Sequence, residues 1–459
     1  MHRTLVLNVV GLTPSLVGEH TPHLTALARK GAMRPLRTIT PAVTCSVQST
    51  FLTGLRPSGH GCVANGWYFR SLAEVGFWKQ SNHLVEGEKI WETARRRDPA
   101  FTCAKLFWWY NMYSTADFAV TPRPMYPADG RKLPDLYTHP ADLREELQGK
   151  LGIFPLFHFW GPTADIVSSQ WIGDCARHVF TTRRPTLTLV YLPHLDYNLQ
   201  RLGPGDARIA RDLREVDAVC GELIDLADKE GARIIVLSEY GITAVRDAVH
   251  PNRALRRAGF LKVRTEMDHE LLDAGASEAF AVADHQIAHV YVARPERVLE
   301  VKALLEALPG VERVLDHGGK RSAGLDHPRS GELVAISQAD RWFSYYYWLE
   351  DARAPDFART VDIHRKPGYD PAELFLDPTL SLPKLRIGWK LAQKALGFRT
   401  LLDVIPLDAS LVRGSHGRPT ERDDDGPVLL TSAPDLVPEG PVAATAVKDL
   451  MLDHVFGRS

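Results

Sequence analysis

A threonine hydroxyl lies where the sequence predicts a loop entering a helix, in the segment TPAVTCSVQSTFLTG at residues 40–54. After Pro41 the pattern predicts a short helix that begins near Thr44 and ends at Gly54. Backbone N–H groups and the helix dipole favour negative charge at such an N-terminus, so it would both stabilise an alkoxide and bind a phosphate. A threonine at this position also serves as an N-cap. The segment by itself leaves both roles open for Thr44.

Buried parallel strands are the elements that would position this hydroxyl. Residues 3–10, RTLVLNVV, form a nearly continuous apolar run, and a second run, TLTLVYLP, follows at 186–193. A helix at about 206–230 leads to a third strand at 232–241, as in a crossover between parallel strands. The fold predicted is a doubly wound, mostly parallel α/β sheet flanked by helices. Ligands gather at the carboxyl ends of such strands, so the loops that follow them are candidates for the functional site.

Composition is that of an ordinary soluble globular protein. The 459 residues are 44% hydrophobic and 24% charged, and the formal net charge is −1. This balance gives no argument for a nucleic acid polymer as partner, and no run approaches the roughly 20 apolar residues of a membrane span. Five cysteines without a CxxC pair, and an N-terminus without a signal-peptide pattern, predict a reduced, cytoplasmic setting. No feature indicates an oligomeric state.

The sequence pattern of apolar strands and helices that is typical of the core stops at about residue 246 and returns near residue 404. We therefore predict an α/β core formed by residues 1–245 and 405–459, with an inserted α+β cap region at 246–404. Within the cap, PKLRIGWKLAQKALGFR at 383–399 interleaves basic and apolar residues. This predicts a surface helix packed on its own domain, and contact with a membrane surface is the alternative.

The stretch TPAVTCSVQSTFLTGLRPSGHGCVANGWYF resembles the nucleophile region of the type I phosphodiesterase/nucleotide pyrophosphatase branch of the alkaline phosphatase superfamily. The segments TPHLTALARKGA, YLPHLDYNLQRLGP, VLSEYGIT and RGSHGR resemble further motifs of that family and follow in the same order. The resemblance implies an alkaline phosphatase-like fold. It aligns Thr44 with the threonine nucleophile and Asn65 with the asparagine that helps to hold the phosphoryl oxygens.

Members of that family use two divalent cations, usually zinc, which activate the threonine and hold the phosphoryl oxygens. The matching ligand positions that keep an ionisable donor are Asp196, Glu239 and His416. Other positions have changed: the first aspartate of the family corresponds to Val10, one histidine to Gln200 and another to Tyr240. A valine binds no cation, and neutral glutamine and tyrosine are weak ligands. The resemblance thus implies one metal or none rather than two.

Two arrangements stay open at this point. One divalent cation, zinc or manganese, would be held by Asp196, His416 and either Gln200 or Glu239. Alternatively the site works without metal, and His416 is then the preferred general base. Replacement ligands from elsewhere are a further alternative, for which a structural role is favoured in each case. They are Asp284, His285, His289, Asp326, His327, Asp362 and His364.

The predicted function is a phosphoesterase-like hydrolase, a phosphodiesterase, pyrophosphatase or phosphatase, that attacks a small phosphorylated substrate through Thr44. Asn65 and Gln200 would contact the substrate. Trp108, Trp109 and Tyr110 in AKLFWWYNMYS are the candidates to stack on it, with Trp108 chosen first, and core packing with one ring exposed is the favoured alternative. The second hypothesis is a non-hydrolytic or binding protein that uses a converted phosphate pocket in a biosynthetic pathway. Loss of the ligands at Val10 and Tyr240 favours that hypothesis, and retention of Thr44 and Asn65 at the family's spacing argues against it.

Overall fold

The computed structural model describes residues 1–398 and 400–458, without the side chains of Pro383, Lys384, Leu391, Lys394 and Ala395. Its centre is a sheet of nine strands. Across the sheet the order is Val442–Ala443, Ala32–Arg37, Val428–Thr431, Arg233–Leu237, Thr4–Val9, Leu187–Leu192, Cys103–Leu106, Phe118–Pro122 and Leu136–His139.

Five adjacent strands in the middle of this sheet run parallel. Thr4–Val9 lies between Leu187–Leu192 and Arg233–Leu237, and Leu5 is opposite both Thr188 and Ile234. Antiparallel strands flank the parallel set on both sides. Every residue of Thr4–Val9 is buried, as expected for a strand covered on both faces. The predicted fold class, a mostly parallel α/β sheet, is confirmed.

Helices cover the sheet and connect its strands. The α-helices are Pro22–Lys30, Thr44–Thr53, Pro57–His60, Ile90–Arg97, Leu143–Leu151, Ile166–Thr182, His194–Leu202, Ile209–Lys229, Pro251–Arg257, Val298–Glu306, His317–Ala323, Pro383–Ala395 and Val447–Phe456. The helix predicted at about 206–230 is Ile209–Lys229. It forms the crossover between the strands Leu187–Leu192 and Arg233–Leu237, as predicted.

A second sheet lies within the segment predicted to be a cap. Its four antiparallel strands are ordered Ala279–Asp284, Ile287–Val292, Leu333–Ser337 and Val311–Leu315. A hydrophobic cluster with many aromatic residues, including Trp342 and Trp348, packs around this sheet. The remaining strands form two-stranded pairs: Gly66–Phe69 with Glu74–Phe77, Thr243–Ala244 with Gly414–Ser415, Asp247–Val249 with Arg341–Phe343, and Lys262–Glu266 with His269–Asp273. The boundaries 246 and 404 stay a prediction.

The basic amphipathic segment contains the helix Pro383–Ala395. Leu385 and Trp389 are exposed there, and Ile387 is half-buried. The side chains of Lys384 and Lys394 and all of Arg399, on which part of that prediction depends, lie outside the described residues. Within the described part of the chain, no helix is both long and apolar enough to cross a bilayer.

Candidate active site

Thr44 is the first residue of the helix Thr44–Thr53. The preceding residue, Val43, has an extended backbone, so the helix begins at Thr44, and no side chain caps its N-terminus. At the other end Gly54 adopts a φ of 73°, a conformation that glycine adopts without steric cost. The side chain of Thr44 is 3% exposed and borders a cavity. The hydroxyl therefore faces the cavity instead of serving as an N-cap.

Three chain segments bring polar side chains to Thr44 at one edge of the central sheet. Asp196 lies in the first turn of the helix that follows the strand Leu187–Leu192. Glu239 and Tyr240 follow the strand Arg233–Leu237, which lies on the other side of Thr4–Val9 in the sheet. His416 comes next to Gly414–Ser415, and the carbonyl of the adjacent Gly417 accepts a hydrogen bond from the N–H of Ala42. The carboxyl ends of parallel strands meet at this edge, as the sequence predicted.

A chain of hydrogen bonds runs from Thr44 into the protein. The Thr44 and Tyr240 hydroxyl oxygens are 3.1 Å apart, and the Tyr240 hydroxyl donates to Asp196 Oδ1 at 3.3 Å. The other oxygen of Asp196 accepts from Gln200 Nε2 at 2.7 Å, and Gln200 Oε1 accepts from the Tyr369 hydroxyl at 3.0 Å. Five side chains are thereby connected in series.

The Glu239 carboxyl group accepts hydrogen bonds from two side-chain amides. The Nδ2 of Asn8 and the Nε2 of Gln48 both donate to Glu239 Oε1, each at 2.6 Å. The second oxygen, Oε2, is buried without a hydrogen-bond partner among the described residues. Gln48 also accepts the backbone N–H of Trp109 at 2.7 Å, so the same side chain fixes the loop behind the nucleophile. One oxygen of Glu239 is already saturated by protein donors.

Asn65 and Asp284 form a second polar group beside the helix N-terminus. Asn65 donates to Asp284 from its backbone N–H at 2.8 Å and from its side-chain amide at 3.1 Å. Its side-chain oxygen accepts the N–H of Cys45 at 2.9 Å. Asp284 Oδ1 is in addition 2.8 Å from His285 Nδ1. The position of Asn65 is therefore set by a residue from the second sheet.

Two histidines present a free ring nitrogen at the cavity. His416 Nδ1 donates to the carbonyl of Ala42 at 2.8 Å, and His285 Nδ1 donates to Asp284. In both rings Nε2 is buried without a hydrogen-bond partner among the described residues, and both residues border the cavity. With the proton on Nδ1, a neutral imidazole carries a lone pair on Nε2. Each Nε2 is thus a buried acceptor without a partner among the described residues.

Burial shifts the ionisation of the carboxyl groups. Desolvation raises the pKa of Asp196 to about 7, although the hydrogen bonds from Gln200 and Tyr240 oppose the shift. Burial raises the pKa of Glu239 to about 8 against its amide donors, and that of Asp284 to about 6. The pKa of His416 is well below the ordinary value, again through burial. At neutral pH the site is poor in net charge.

A cavity of about 640 Å³ opens in front of these residues. Asp196, Tyr240, His285 and His416 border it together with Thr44. Most of its wall is apolar, with a dense aromatic set: Trp78, Phe107, Trp109, Phe157, Phe159 and Trp160. Lys132 and Arg365 are the basic side chains that line it among the described residues. The cavity has room for a small phosphate ester with a bulky apolar group.

The predicted ligands do not form a preassembled cation centre. His416 Nε2 lies 4.0 Å from Asp196 Oδ1, and Val10 contributes an apolar side chain. In the described part of the chain, one group of three His, Cys, Asp or Glu side chains has its ligand atoms within 4.8 Å of one another. That group is His194, Asp212 and Glu215. The donor set beside Thr44 does not fit a two-cation centre, and the assignment of ligands stays a prediction.

Of the two adjacent tryptophans, the one that borders the cavity is Trp109, one residue after Trp108. Trp108 is fully buried in the core, where its ring lies 6.5 Å from that of Phe51, whereas Trp109 borders the cavity. Trp109 is also 4.6 Å from Trp78, ring centre to ring centre. Among the suggested replacement ligands, His285, Asp362 and His364 border the cavity, whereas His289 bonds to the carbonyl of Val63.

Sequence reasoning missed several residues of the site, and a signal existed for two of them. Gln48 lies one helical turn after Thr44, and residues four apart share a helix face. Asn8 is a polar residue inside an otherwise apolar buried strand, a position that requires a hydrogen-bond partner. Tyr369 had no such signal, because it reaches the site from the distant second part of the chain, and Asp284 was considered as a replacement ligand and not as the partner of Asn65.

The central sheet with its flanking helices defines an alkaline phosphatase-like fold. The family model for type I phosphodiesterase/nucleotide pyrophosphatase matches residues 4–370. The chain therefore belongs to this family of hydrolases, which act on phosphate ester bonds and typically depend on metal ions.

Individual relatives are distant. An uncharacterised pyrophosphatase/phosphodiesterase of Schizosaccharomyces pombe is 28% identical over 240 residues, which are 50% of this chain. The match spans 42% of the length of that relative. A phosphonoacetate hydrolase from Sinorhizobium meliloti superimposes with a TM-score of 0.63 at 15% identity, covering 99% of this chain and 96% of that one. Murine ectonucleotide pyrophosphatase/phosphodiesterase 5 superimposes with a TM-score of 0.58 at 14% identity, covering 99% and 95%. Both structures show a shared fold.

Proposed function

We propose that this protein is a phosphoesterase that hydrolyses a phosphate ester through a covalent phosphoryl intermediate on Thr44. The observation that carries the proposal is the place of the Thr44 hydroxyl, at a helix N-terminus and at the base of a cavity. Attack by this oxygen on phosphorus forms the P–Oγ bond and breaks the bond to the leaving group. Water then hydrolyses the intermediate and frees Thr44.

Charge on the phosphoryl oxygens would be met by hydrogen-bond donors. The helix N-terminus supplies partial positive charge, and the Asn65 amide has a second N–H besides the one bound to Asp284. Gln200 acts through Asp196, to which it donates, and Trp109 takes the stacking role predicted for Trp108. His416, with its free Nε2, is the proposed base for the attacking water.

The metal requirement is at most one cation at this site. Asp196, Glu239 and His416 are the residues that would hold it, as zinc or manganese, and when bound it would neutralise charge on the phosphoryl group. A small phosphorylated molecule is the proposed substrate, with a bulky apolar group suited to the aromatic wall. Two relatives of similar fold were solved with AMP and with phosphonoacetate bound. The five cysteines are buried free thiols, which supports the proposed cytoplasmic location.

Removal of one hydroxyl tests the proposal. Turnover of bis(p-nitrophenyl) phosphate and p-nitrophenyl phosphate is measured for wild type, Thr44→Ala and Ser46→Ala. Ser46 is a matched control, because its buried hydroxyl lies in the same helical turn and has no hydrogen-bond partner among the described residues. We expect Thr44→Ala to abolish turnover of the better substrate and Ser46→Ala to retain it. Equal activity of the two variants would overturn the proposal.

A binding protein with a converted phosphate pocket is the second candidate. Glu239 and Tyr240 stand at positions of cation ligands in the family. Here Glu239 accepts two amide N–H groups and Tyr240 contacts Thr44 through its hydroxyl, which favours this candidate. In that case wild type would bind phenyl phosphate at the cavity without hydrolysing either chromogenic ester. Isothermal titration with phenyl phosphate, run beside the turnover assay, separates the two candidates.

A further inference from the structure

We propose that the Tyr240 hydroxyl replaces the cation that activates the nucleophile in this family, and that the Thr44 proton passes through Tyr240 to Asp196. The inference rests on the proposed function, since it describes how Thr44 is activated. It assigns a catalytic role to Tyr240, a residue that the family comparison identifies merely as a lost ligand. The site beside Thr44 is then independent of metal.

The direction of the hydrogen bonds supports this transfer. A phenol has one proton, and Tyr240 donates that proton to Asp196 Oδ1. With its own proton on Asp196, the oxygen of Tyr240 can accept the Thr44 proton at 3.1 Å, which is the direction that the relay uses. The distances of 3.1 and 3.3 Å exceed the 2.7–2.8 Å optimum for hydroxyl donors, as is common in enzymes without bound substrate.

Packing holds Tyr240 in this place. Its ring lies against the imidazole of His416, with ring centres 3.5 Å apart and planes inclined by 6°. On the other side of His416 lies His285, with ring centres 3.7 Å apart. The ring of Tyr369 lies next to His285, with ring centres 3.6 Å apart. Tyr240 is 2% exposed. A ring confined in a four-membered stack cannot swing away, so its hydroxyl keeps the position between nucleophile and carboxylate.

The side chains around the Tyr240 hydroxyl offer few ligand atoms to a cation at the same position. Val10 offers an apolar side chain, and Glu239 Oε1 already accepts two amide N–H groups, so Glu239 Oε2 and His416 Nε2 are the acceptors without a partner that remain among these described residues. Zinc prefers three or four nitrogen, sulfur or carboxylate ligands at about 2.0–2.3 Å. A neutral phenol that hydrogen-bonds on both sides does not complete such a set. The contacts therefore favour a hydrogen-bonded relay over a metal ion.

The proposed reaction balances in two steps. In the first, Thr44 Oγ bonds to phosphorus, its proton moves to the Tyr240 oxygen, and the Tyr240 proton moves to Asp196 Oδ1. The leaving group departs with the electron pair of its P–O bond. In the second, water attacks phosphorus and the P–Oγ bond breaks. Asp196 returns its proton through Tyr240 to Thr44, and the proton that water loses passes to His416 Nε2 and from there to solvent.

A single-atom deletion tests the relay. Tyr240→Phe keeps the ring on His416 and removes the hydroxyl, and Tyr345→Phe is the matched control. Tyr345 is also fully buried, and its hydroxyl has no hydrogen-bond partner among the described residues. We expect Tyr240→Phe to lower kcat for bis(p-nitrophenyl) phosphate by about 100-fold or more, with KM changed less than about threefold. Tyr345→Phe should match wild type, and the thermal transitions of all three should be similar.

Metal content provides a readout apart from turnover. Zinc and manganese per chain are measured for the His194→Ala variant, so that a cation on the cluster of His194, Asp212 and Glu215 is not counted. We expect less than about 0.1 cation per chain, and turnover that persists after treatment with EDTA. About one cation per chain that disappears on the additional change His416→Ala would overturn the inference.

The variants separate this inference from the proposed function. If Thr44→Ala stays active, the proposed function fails, and the relay fails with it. If Thr44→Ala is inactive while Tyr240→Phe turns over like wild type, the nucleophile stands and the relay is wrong. Loss of wild-type turnover in EDTA, with recovery on adding zinc, would also overturn the relay and leave Thr44 as nucleophile.

Discussion

The imidazole of His416 lies face to face with the phenol ring of Tyr240, with ring centres 3.5 Å apart and planes inclined by 6°. The hydroxyl of Tyr240 contacts Thr44, and His416, whose buried Nε2 has no partner among the described residues, borders the same cavity. One stacked pair thus presents a group for each half of a double displacement: a hydroxyl next to the nucleophile and an acceptor for the attacking water.

This pairing predicts that His416→Phe separates the two steps. Phenylalanine preserves the stack on Tyr240 but removes the acceptor nitrogen, so hydrolysis of the intermediate should slow while its formation continues. We expect kcat to fall by about 100-fold, with a burst of one p-nitrophenolate per chain in stopped-flow measurements. A steady-state rate close to wild type would show that His416 has no part in the second step.

A structural role is predicted for Gln48, which links Glu239 to the backbone of Trp109. Gln48→Ala leaves the N–H of Trp109 and part of the Glu239 carboxyl without partners in the interior. An unsatisfied buried group costs about 1–3 kcal/mol, so the free energy of unfolding should fall by about 2 kcal/mol or more. Urea denaturation measures it. A loss below about 0.5 kcal/mol would mean that water satisfies both groups.

The aromatic wall of the cavity predicts affinity for apolar groups. Competitive inhibition by alkyl phosphates should strengthen with chain length, because each buried methylene contributes about 0.8 kcal/mol, or roughly fourfold in Ki. Trp109→Ala removes part of this wall and should flatten the dependence, whereas Trp109→Phe should retain most of it. Inhibition independent of chain length in the wild type would place the apolar part of the substrate outside the cavity.

Stability should fall as the pH falls below about 6.5. Burial lowers the pKa of His60 to about 3 and that of His289 to about 4, and the Nδ1 of each accepts a backbone N–H. The unfolded chain takes up protons near 6.5, and the folded chain does not until the pH nears 3 to 4. Stability is therefore complete above 6.5 and decreases by up to about 1.4 kcal/mol per pH unit for each histidine.

Urea unfolding at pH 7 and pH 5 measures this dependence. His289→Gln should be less stable than wild type at pH 7, yet its stability should depend less steeply on pH, by about one proton. The slope is the informative quantity, since it is unaffected by a uniform loss of stability. An unchanged slope would mean that His289 takes up its proton in the folded state.

Much of the central fold could be predicted, because local patterns carry the information. The apolar run at residues 3–10 is the strand Thr4–Val9, and the run at 186–193 is Leu187–Leu192. Pro22 and Gly31 mark the start and the end of the helix Pro22–Lys30, as proline and glycine commonly do. Strands that are buried on both faces, and helices with clear termination signals, can be predicted without knowledge of tertiary contacts.

The site was predictable in part, for an equally physical reason. Thr44, Asp196, Tyr240 and His416 border one cavity, as expected of residues at strand ends. The partners of Asn65 and Glu239 could not be foreseen, since Asp284 lies 219 residues from Asn65 and Asn8 lies 231 residues from Glu239. Such pairs depend on how distant segments pack.

The tryptophan that faces the cavity shows a further limit. Phe107 and Tyr110 on either side of the pair have φ values of 64° and 53°, so the backbone there follows neither helical nor extended geometry. Alternation therefore could not tell Trp108 from Trp109. Which of two adjacent rings faces the cavity is decided by those backbone angles.

The most direct test of the central claim is detection of the covalent intermediate on Thr44. The His416→Phe variant is mixed with bis(p-nitrophenyl) phosphate, quenched in acid and digested, and the peptide containing Thr44 is analysed by mass spectrometry. We predict a nitrophenyl phosphoryl group on Thr44, absent when Thr44→Ala is combined with His416→Phe. Turnover without an adduct at Thr44, or an adduct on another residue, would contradict the account.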